Sequence, residues 1–157
     1  MVRPMSAERR LARPAGGGWS VDEILEHLCL ANADYLGVMD RALSQASAPV
    51  ARGTWRASLG GWLLVRAMES GRRASAPAAI VPATAPRAEV LDVMLHSLEQ
   101  LRTLIARGQS QEWRRVRMTS PYAGWLRLNF GDAALVVVRH VERHTRQMAR
   151  VAQSLEG

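Results

Sequence analysis

Apolar residues recur at helical spacing in three long stretches of this chain. In the first, Val21, Ile24, Leu25, Leu28, Ala31, Tyr35 and Met39 share one face, which predicts a helix from Val21 to about Ser44. Its start is well marked. Ser20 can cap the helix and Glu23 can reach back to the cap, while Trp19 and Ile24 are spaced as a hydrophobic staple. In the second stretch, Leu91, Met94, Leu95, Leu98, Leu101 and Ile105 predict a helix over about Arg87 to Ala106, opened by Pro86 and ended by Gly108. The third predicts a helix from about Phe130 to Ser154, with Asn129 as its cap and Asp132 complementing the dipole. Its run Leu135 to Val138 has the β-branching of a strand, but the 3.6-residue period continues through Val151 and decides for helix.

Weaker signals fill the intervals. Ala7 to Leu11 can make a helical turn or two before Pro14 and the Gly16-Gly17-Gly18 break. Ser47 to Arg56, with Pro49 and Gly53, reads as a linker. Leu59 to Ser70 reads as a short helix carrying Leu63 and Met68, with bulk from Trp55 and Trp62, and Gly60-Gly61 weakens its start. Gly71 to Pro86 is rich in Pro, Ala and Arg and predicts an extended loop; Gln109 to Phe130 predicts a long connection. The expectation is one all-α domain over 1–157, with 1–18 as a short N-terminal segment and 19–154 as the helical core.

The length of 157 residues suits a single domain with a sizeable core. No apolar run approaches the roughly 18 residues of a membrane span, and the first eighteen residues lack the apolar region of a secretory signal. A single cysteine, Cys29, allows no internal disulfide and fits a cytoplasmic setting. It lies between Leu28 and Leu30, as a small buried hydrophobe would rather than a nucleophile. The formal charge is +7, and all 21 basic residues are arginine. This looks compositional. The arginines are scattered, and only 5% of residues are aromatic, so the interleaved stacking pattern of a nucleic-acid surface is missing.

Chemistry enters with the histidines. His140 and His144 stand four residues apart, one turn on a helix, and fall within the apolar arc of Ala133, Val137, Val141, Met148 and Val151. Arg139, Arg143, Arg146 and Arg150 gather on the opposite, solvated side. Two imidazoles so placed can chelate one ion, or can be two hydrogen-bonded interface residues. His27 lies at the edge of the first helix's apolar face, with Asp34 two turns on along the same side. If the two helices pack as neighbours, His27, His140 and His144 make a three-histidine set with open positions, suited to zinc, nickel, copper or iron. His96 falls opposite its helix's apolar stripe and reads as a solvated residue. Val141 follows His140, so the glutamate of an HExxH protease is absent.

Three motifs together resemble the DinB-like superfamily. They are Gly18-Trp19-Ser20 leading to Glu26-His27-Leu28, the approach Ser120-Pro121-Tyr122-Ala123-Gly124 through Leu126-Arg127-Leu128-Asn129-Phe130-Gly131-Asp132, and His140-Val141-Glu142-Arg143-His144-Thr145-Arg146-Gln147. The resemblance spans about Trp19 to Val151. It implies a four-helix bundle holding a divalent metal, often zinc or nickel, on His27, His140 and His144. Characterised members include bacillithiol S-transferases and mycothiol-dependent maleylpyruvate isomerases. Members usually have a full helix before the Trp-Ser start, whereas only about eighteen residues precede it here. A shortened first helix would bare the apolar face beside His27, so a homodimer is expected.

The leading expectation is a metal-dependent thiol S-transferase, in which the metal takes up a low-molecular-weight thiol and presents its thiolate to an electrophile. Glu26, Asp34 and Gln147 are candidates to orient the ligands. Arg114, Arg115 and Arg117 are candidates to hold a carboxylate of thiol or substrate, against the plainer reading of a solvated cluster. The alternatives are a non-catalytic, dimeric metal-binding stress protein and a metal-dependent hydrolase.

Overall fold

The computed structural model describes residues 5–46, 55–70 and 75–156. In chain order these form α1 (Ala7–Leu11), α2 (Val21–Ser44), α3 (Leu59–Glu69), a 3-10 turn (Ala78–Ile80), α4 (Val90–Gly108), β1 (Arg117–Thr119), β2 (Arg127–Asn129) and α5 (Phe130–Ser154). The fold is all-α apart from one small hairpin. Helix α2 packs against both α4 and α5, α3 packs on α5, and the shortened first helix α1 packs on α2; the helix near 59–70, expected as an extra to a bundle with a shortened first helix, thus joins α2, α4 and α5 in the bundle. Most of the expected linker, including Pro49 and Gly53, lies outside the described residues, as do residues 71–74.

The two longest helices start where their caps require. Ser20 accepts from the Glu23 amide and Glu23 accepts from the Ser20 amide. Asn129 and Asp132 make the same reciprocal pair at the head of α5. Asp132, read from sequence only as a dipole partner, thus completes a capping box. It also accepts from the Ser58 amide at 2.9 Å, which ties the start of α3 to the start of α5. Two apolar clusters fill the bundle, one around Met39, Leu104, Phe130 and Val137, the other around Ile24, Leu28, Val90, Met94 and Val151. The start of α2 therefore meets the end of α5, and the two run antiparallel. Ile24 and Leu28 are fully buried, and each such side chain contributes about 1.5–3 kcal/mol.

The first half of α2 is enclosed on every side, acids included. Asp22, Glu23 and Glu26 are all buried, and each carboxylate has an arginine: Arg10 at 2.9 Å, Arg13, and Arg87 at 2.9 Å. Buried carboxylates need such partners. Helix α1 has five residues and buries none of them, yet the N-terminal segment covers α2 through Arg10 and Arg13. Val21, Ile24, Leu25 and Leu28 are buried against Val90, Met94 and Val151, so among the described residues the apolar face expected to be bare beside His27 is covered, and that argument for a second subunit falls away.

Three local expectations change. Helix α4 begins at Val90 rather than Arg87, because residues 87–89 form a turn closed by the Val90 amide on the Arg87 carbonyl. Its buried row is Val90, Met94, Ser97, Leu101 and Leu104, while Leu91 and Leu95 face outward. Ser97 belongs inside because it accepts from Asn32 Nδ2 at 3.0 Å. The connection from 109 to 130 holds a two-stranded antiparallel hairpin, Met118 opposite Leu128, which turns those two residues into the core. The loop before α4 contains the 3-10 turn that ends at Ile80.

Candidate metal centre

His27 stands in the second turn of α2, and His140 and His144 in the middle of α5, on the line where the two helices face each other. One ring nitrogen from each lies within 4.8 Å of the others, an arrangement that could hold a metal ion. The Nε2 atoms of His27 and His140 are 3.2 Å apart. Nitrogens bound about 2.0–2.1 Å from one tetrahedral ion lie about 3.3 Å from each other, so the spacing suits a shared cation. The three rings meet edge to face, with centroids 4.6–5.0 Å apart, and the Trp19 ring lies 5.0 Å from that of His27.

The outer nitrogens decide which atoms face inward. His27 Nδ1 donates to the Ile80 carbonyl at 2.7 Å, and a carbonyl can only accept. His27 therefore keeps its lone pair on Nε2. His144 Nδ1 donates to Gln147 Oε1 at 2.8 Å, which leaves the lone pair of His144 on Nε2 as well. An acceptor behind each imidazole is the usual arrangement around ligand histidines.

All three imidazoles are held neutral. Burial pushes His27 below its ordinary value. His140 falls to about 3 through burial, the neighbouring His144 and His27, and Arg143. His144 falls to about 4 through burial first, then His27 and Arg143, against the Gln147 hydrogen bond. Neutral imidazole is the form that binds metals. The site is not sealed, because His140 is only half-buried while His27 and His144 are buried.

The other sequence candidates are divided. Gln147 touches the cluster. Glu26 does not: its carboxylate is taken up by Arg87. Asp34 accepts from the Tyr122 hydroxyl at 2.8 Å and makes no hydrogen bond to a histidine. Arg115 pairs with Glu112 at 2.7 Å. Arg114 and Arg117 line a separate cleft with Arg56 and Arg127. Asn129 borders that cleft at the head of α5, and His140 lies three turns further along, roughly 16 Å away at the rise of a helix. His96 is exposed, as its face implied. Cys29 is buried, donates to the Val90 carbonyl, and has its thiol pushed up to about 11 by burial and by Glu26.

Two contributors were missed. The Ile80 carbonyl comes from a loop with no sequence signal for a helix partner. Arg143, placed on the solvated stripe, is half-buried, donates to the Met68 carbonyl at the end of α3, and stands close enough to depress both His140 and His144. Its position one residue before His144 puts it on the flank of the site, a place that helix stepping assigned to solvent.

Comparison with known proteins gives a family but no individual relative. A sequence model of the DinB superfamily matches residues 1–148. No curated protein and no solved structure matches the chain. The family match runs over nearly the full length and includes both helices that carry the histidines, and the chain belongs to the DinB superfamily.

Proposed function

We propose that this protein binds one divalent metal ion, zinc or nickel, through Nε2 of His27, His140 and His144, and uses it in thiol transfer. The observation that carries the reading is the pair of outer hydrogen bonds, His27 to Ile80 and His144 to Gln147, which leave both lone pairs on Nε2 in a cluster whose three ligand nitrogens lie within 4.8 Å of one another. Bound there, the metal would supply a Lewis acid that lowers the pKa of a thiol entering its open positions.

The chain's own residues account for the rest. Trp19 and the buried end of α2 form an apolar wall behind His27, and the half-buried edge at His140 leaves an approach for a small molecule. Arg143 sets a fixed positive charge beside the histidines, where an anionic sulfur or a carboxylate would be stabilised. No carboxylate among the described residues makes a hydrogen bond to the cluster, and Glu26 and Asp34 are engaged elsewhere. Hydrolysis by a metal-bound water ordinarily uses a neighbouring carboxylate to steer the water and protonate the leaving group, whereas a thiol on the metal ionises without one. That favours thiol activation over hydrolysis.

Metal analysis of the purified protein against a His140→Ala, His144→Ala double variant tests the first half. One equivalent in the native chain and none in the variant is expected; equal content in both would remove the site. Conjugation of bacillithiol, mycothiol or glutathione to a model electrophile tests the second half. Turnover that disappears on chelation supports transfer, and absence of turnover with all three thiols points to a metal-binding protein without that activity.

A further inference from the structure

The cleft that collects Arg56, Arg114, Arg117 and Arg127 has a volume of about 180 Å³ and is completed by Ser58, Leu128 and Asn129. We infer that it is a second ligand site, for a compact multiply charged oxyanion such as a phosphate or diphosphate group, and that it works independently of the histidine cluster.

Its construction is specific. In the hairpin, Arg117 stands opposite Asn129 and Arg127 opposite Thr119. Strand alternation puts these four side chains on one face, while Met118 and Leu128 occupy the other and anchor it in the core. Arg127 is steadied by Thr119 Oγ1 at 3.3 Å. Arg114 enters from the turn before β1, and Arg56 from the residues that lead into α3. Four guanidinium groups thus arrive from three separate stretches of chain.

Such a gathering of like charges is unfavourable unless something neutralises it. Among the described residues, none of the four makes an ion pair, although nine such pairs form elsewhere and take up Arg9, Arg10, Arg13, Arg87, Arg102, Arg107, Arg115 and Arg139. No carboxylate lines the cleft. The nearby acid, Asp132, is fully buried and committed to the Ser58 and Asn129 amides. The caps of α3 and α5, Ser58 and Asn129, border the cleft, and the Asp132 carboxylate behind them already answers the two helix heads, so the unmet charge at the cleft is that of the four arginines. Planar guanidinium forks match phosphate oxygens in pairs. The volume suits one or two phosphate groups, and the phosphate could belong to a free metabolite or to a nucleic-acid backbone. The compact cleft favours the former.

Calorimetric titration with inorganic phosphate and with pyrophosphate tests this, using the native chain and the His140→Ala, His144→Ala variant. Saturable binding at one site per chain is expected, equal in the two proteins and tighter for pyrophosphate. Arg117→Ala or Arg127→Ala should weaken it about tenfold or more, the loss of one charge-assisted contact, with Lys at either position restoring part of it. Arg146→Ala, which removes one charge on α5 away from the cleft, should leave it unchanged. Both hairpin arginines are exposed, so the variants should keep the native melting temperature. The inference is overturned if pyrophosphate shows no saturable binding at millimolar concentration, or if Arg146→Ala weakens it as much as Arg117→Ala. It is also overturned if binding vanishes in the histidine variant. A single-stranded oligonucleotide serves as a further arm. Binding of it alone, falling steeply with salt, would overturn the small-ligand assignment.

Discussion

His27 Nε2 lies 3.2 Å from His140 Nε2, across 113 positions of sequence. Two ring lone pairs facing each other at that distance repel unless a proton or a cation lies between them. The Ile80 carbonyl claims the only proton of a neutral His27 at Nδ1, so in the metal-free protein His140 must supply the bridging proton. A metal ion bound there would replace that proton and serve both nitrogens.

Metal should therefore stabilise the fold. A ligand that binds only the native state at one hundred times its Kd adds about 2.7 kcal/mol. Chelation should lower the melting temperature of the native chain, and zinc or nickel should restore it. His144→Ala should melt at the same temperature with and without added metal. A melting temperature indifferent to chelation in the metal-loaded native chain would contradict the site.

Gln147 holds His144 through one hydrogen bond, and removing such an outer partner usually costs about 10–100-fold in metal affinity. Gln147→Ala should weaken metal binding by that amount in competition with a chromogenic chelator. Glu26→Gln should not, because Glu26 faces Arg87 and its loss affects stability instead.

The depressed histidines also set an acid limit for the metal-free protein. Burial and the neighbouring rings push His140 down to about 3 and His144 down to about 4 in the folded chain, against an ordinary value of 6.5. Between those values the unfolded chain binds protons that the folded chain does not, so stability rises with pH across the window. The contribution of the neutral rings is complete above about pH 6.5 and is lost progressively as the pH falls toward 4 and then 3. Urea unfolding of the chelated protein should show a falling midpoint below pH 6.5, and His140→Ala should flatten that slope.

Asp132 joins the heads of α3 and α5. Asp132→Ala would leave the Ser58 and Asn129 amides without their acceptor, at about 1–3 kcal/mol for each donor left buried. A Cβ at Gly61 would overlap the Asp132 carboxylate, so Gly61→Ala should destabilise through the same contact by about 1–3 kcal/mol. Because both act on one junction, the double variant should lose less than the sum of the two. Denaturant unfolding of the three variants checks this.

Cys29 should be silent. Its thiol is buried and pushed up to about 11, so it carries negligible thiolate at neutral pH. A thiol reagent should label it only after unfolding. Cys29→Ser should keep full metal content; loss of metal in that variant would implicate the thiol after all.

Much of the scaffold was legible along the chain. Helices α2 and α5 start and end where the sequence places them, because each combines a capping motif with a long unbroken apolar period, and both signals act between near neighbours. The inward faces of His140 and His144 followed from the same period. Helix α4 shows the limit. Its two apolar rows are nearly equivalent, and the row that is buried contains Ser97, whose place depends on Asn32 of another helix. The hairpin strands have three residues each, with one inward side chain apiece, too short for alternation to register.

By itself, then, the sequence determined the long capped helices α2 and α5, the existence of the others, the family and the three histidines, since those depend on residue type and on spacing within a few turns. Tertiary structure alone decided what surrounds them. It brought Ile80 behind His27, turned Glu26 and Asp34 to other partners, and covered α2 with the chain's own N-terminal segment. It also gathered Arg56, Arg114, Arg117 and Arg127 from three stretches into one cleft. Each of these outcomes is a contact between distant segments, chosen by how the bundle packs and by where buried charges find partners, and no local pattern encodes that choice.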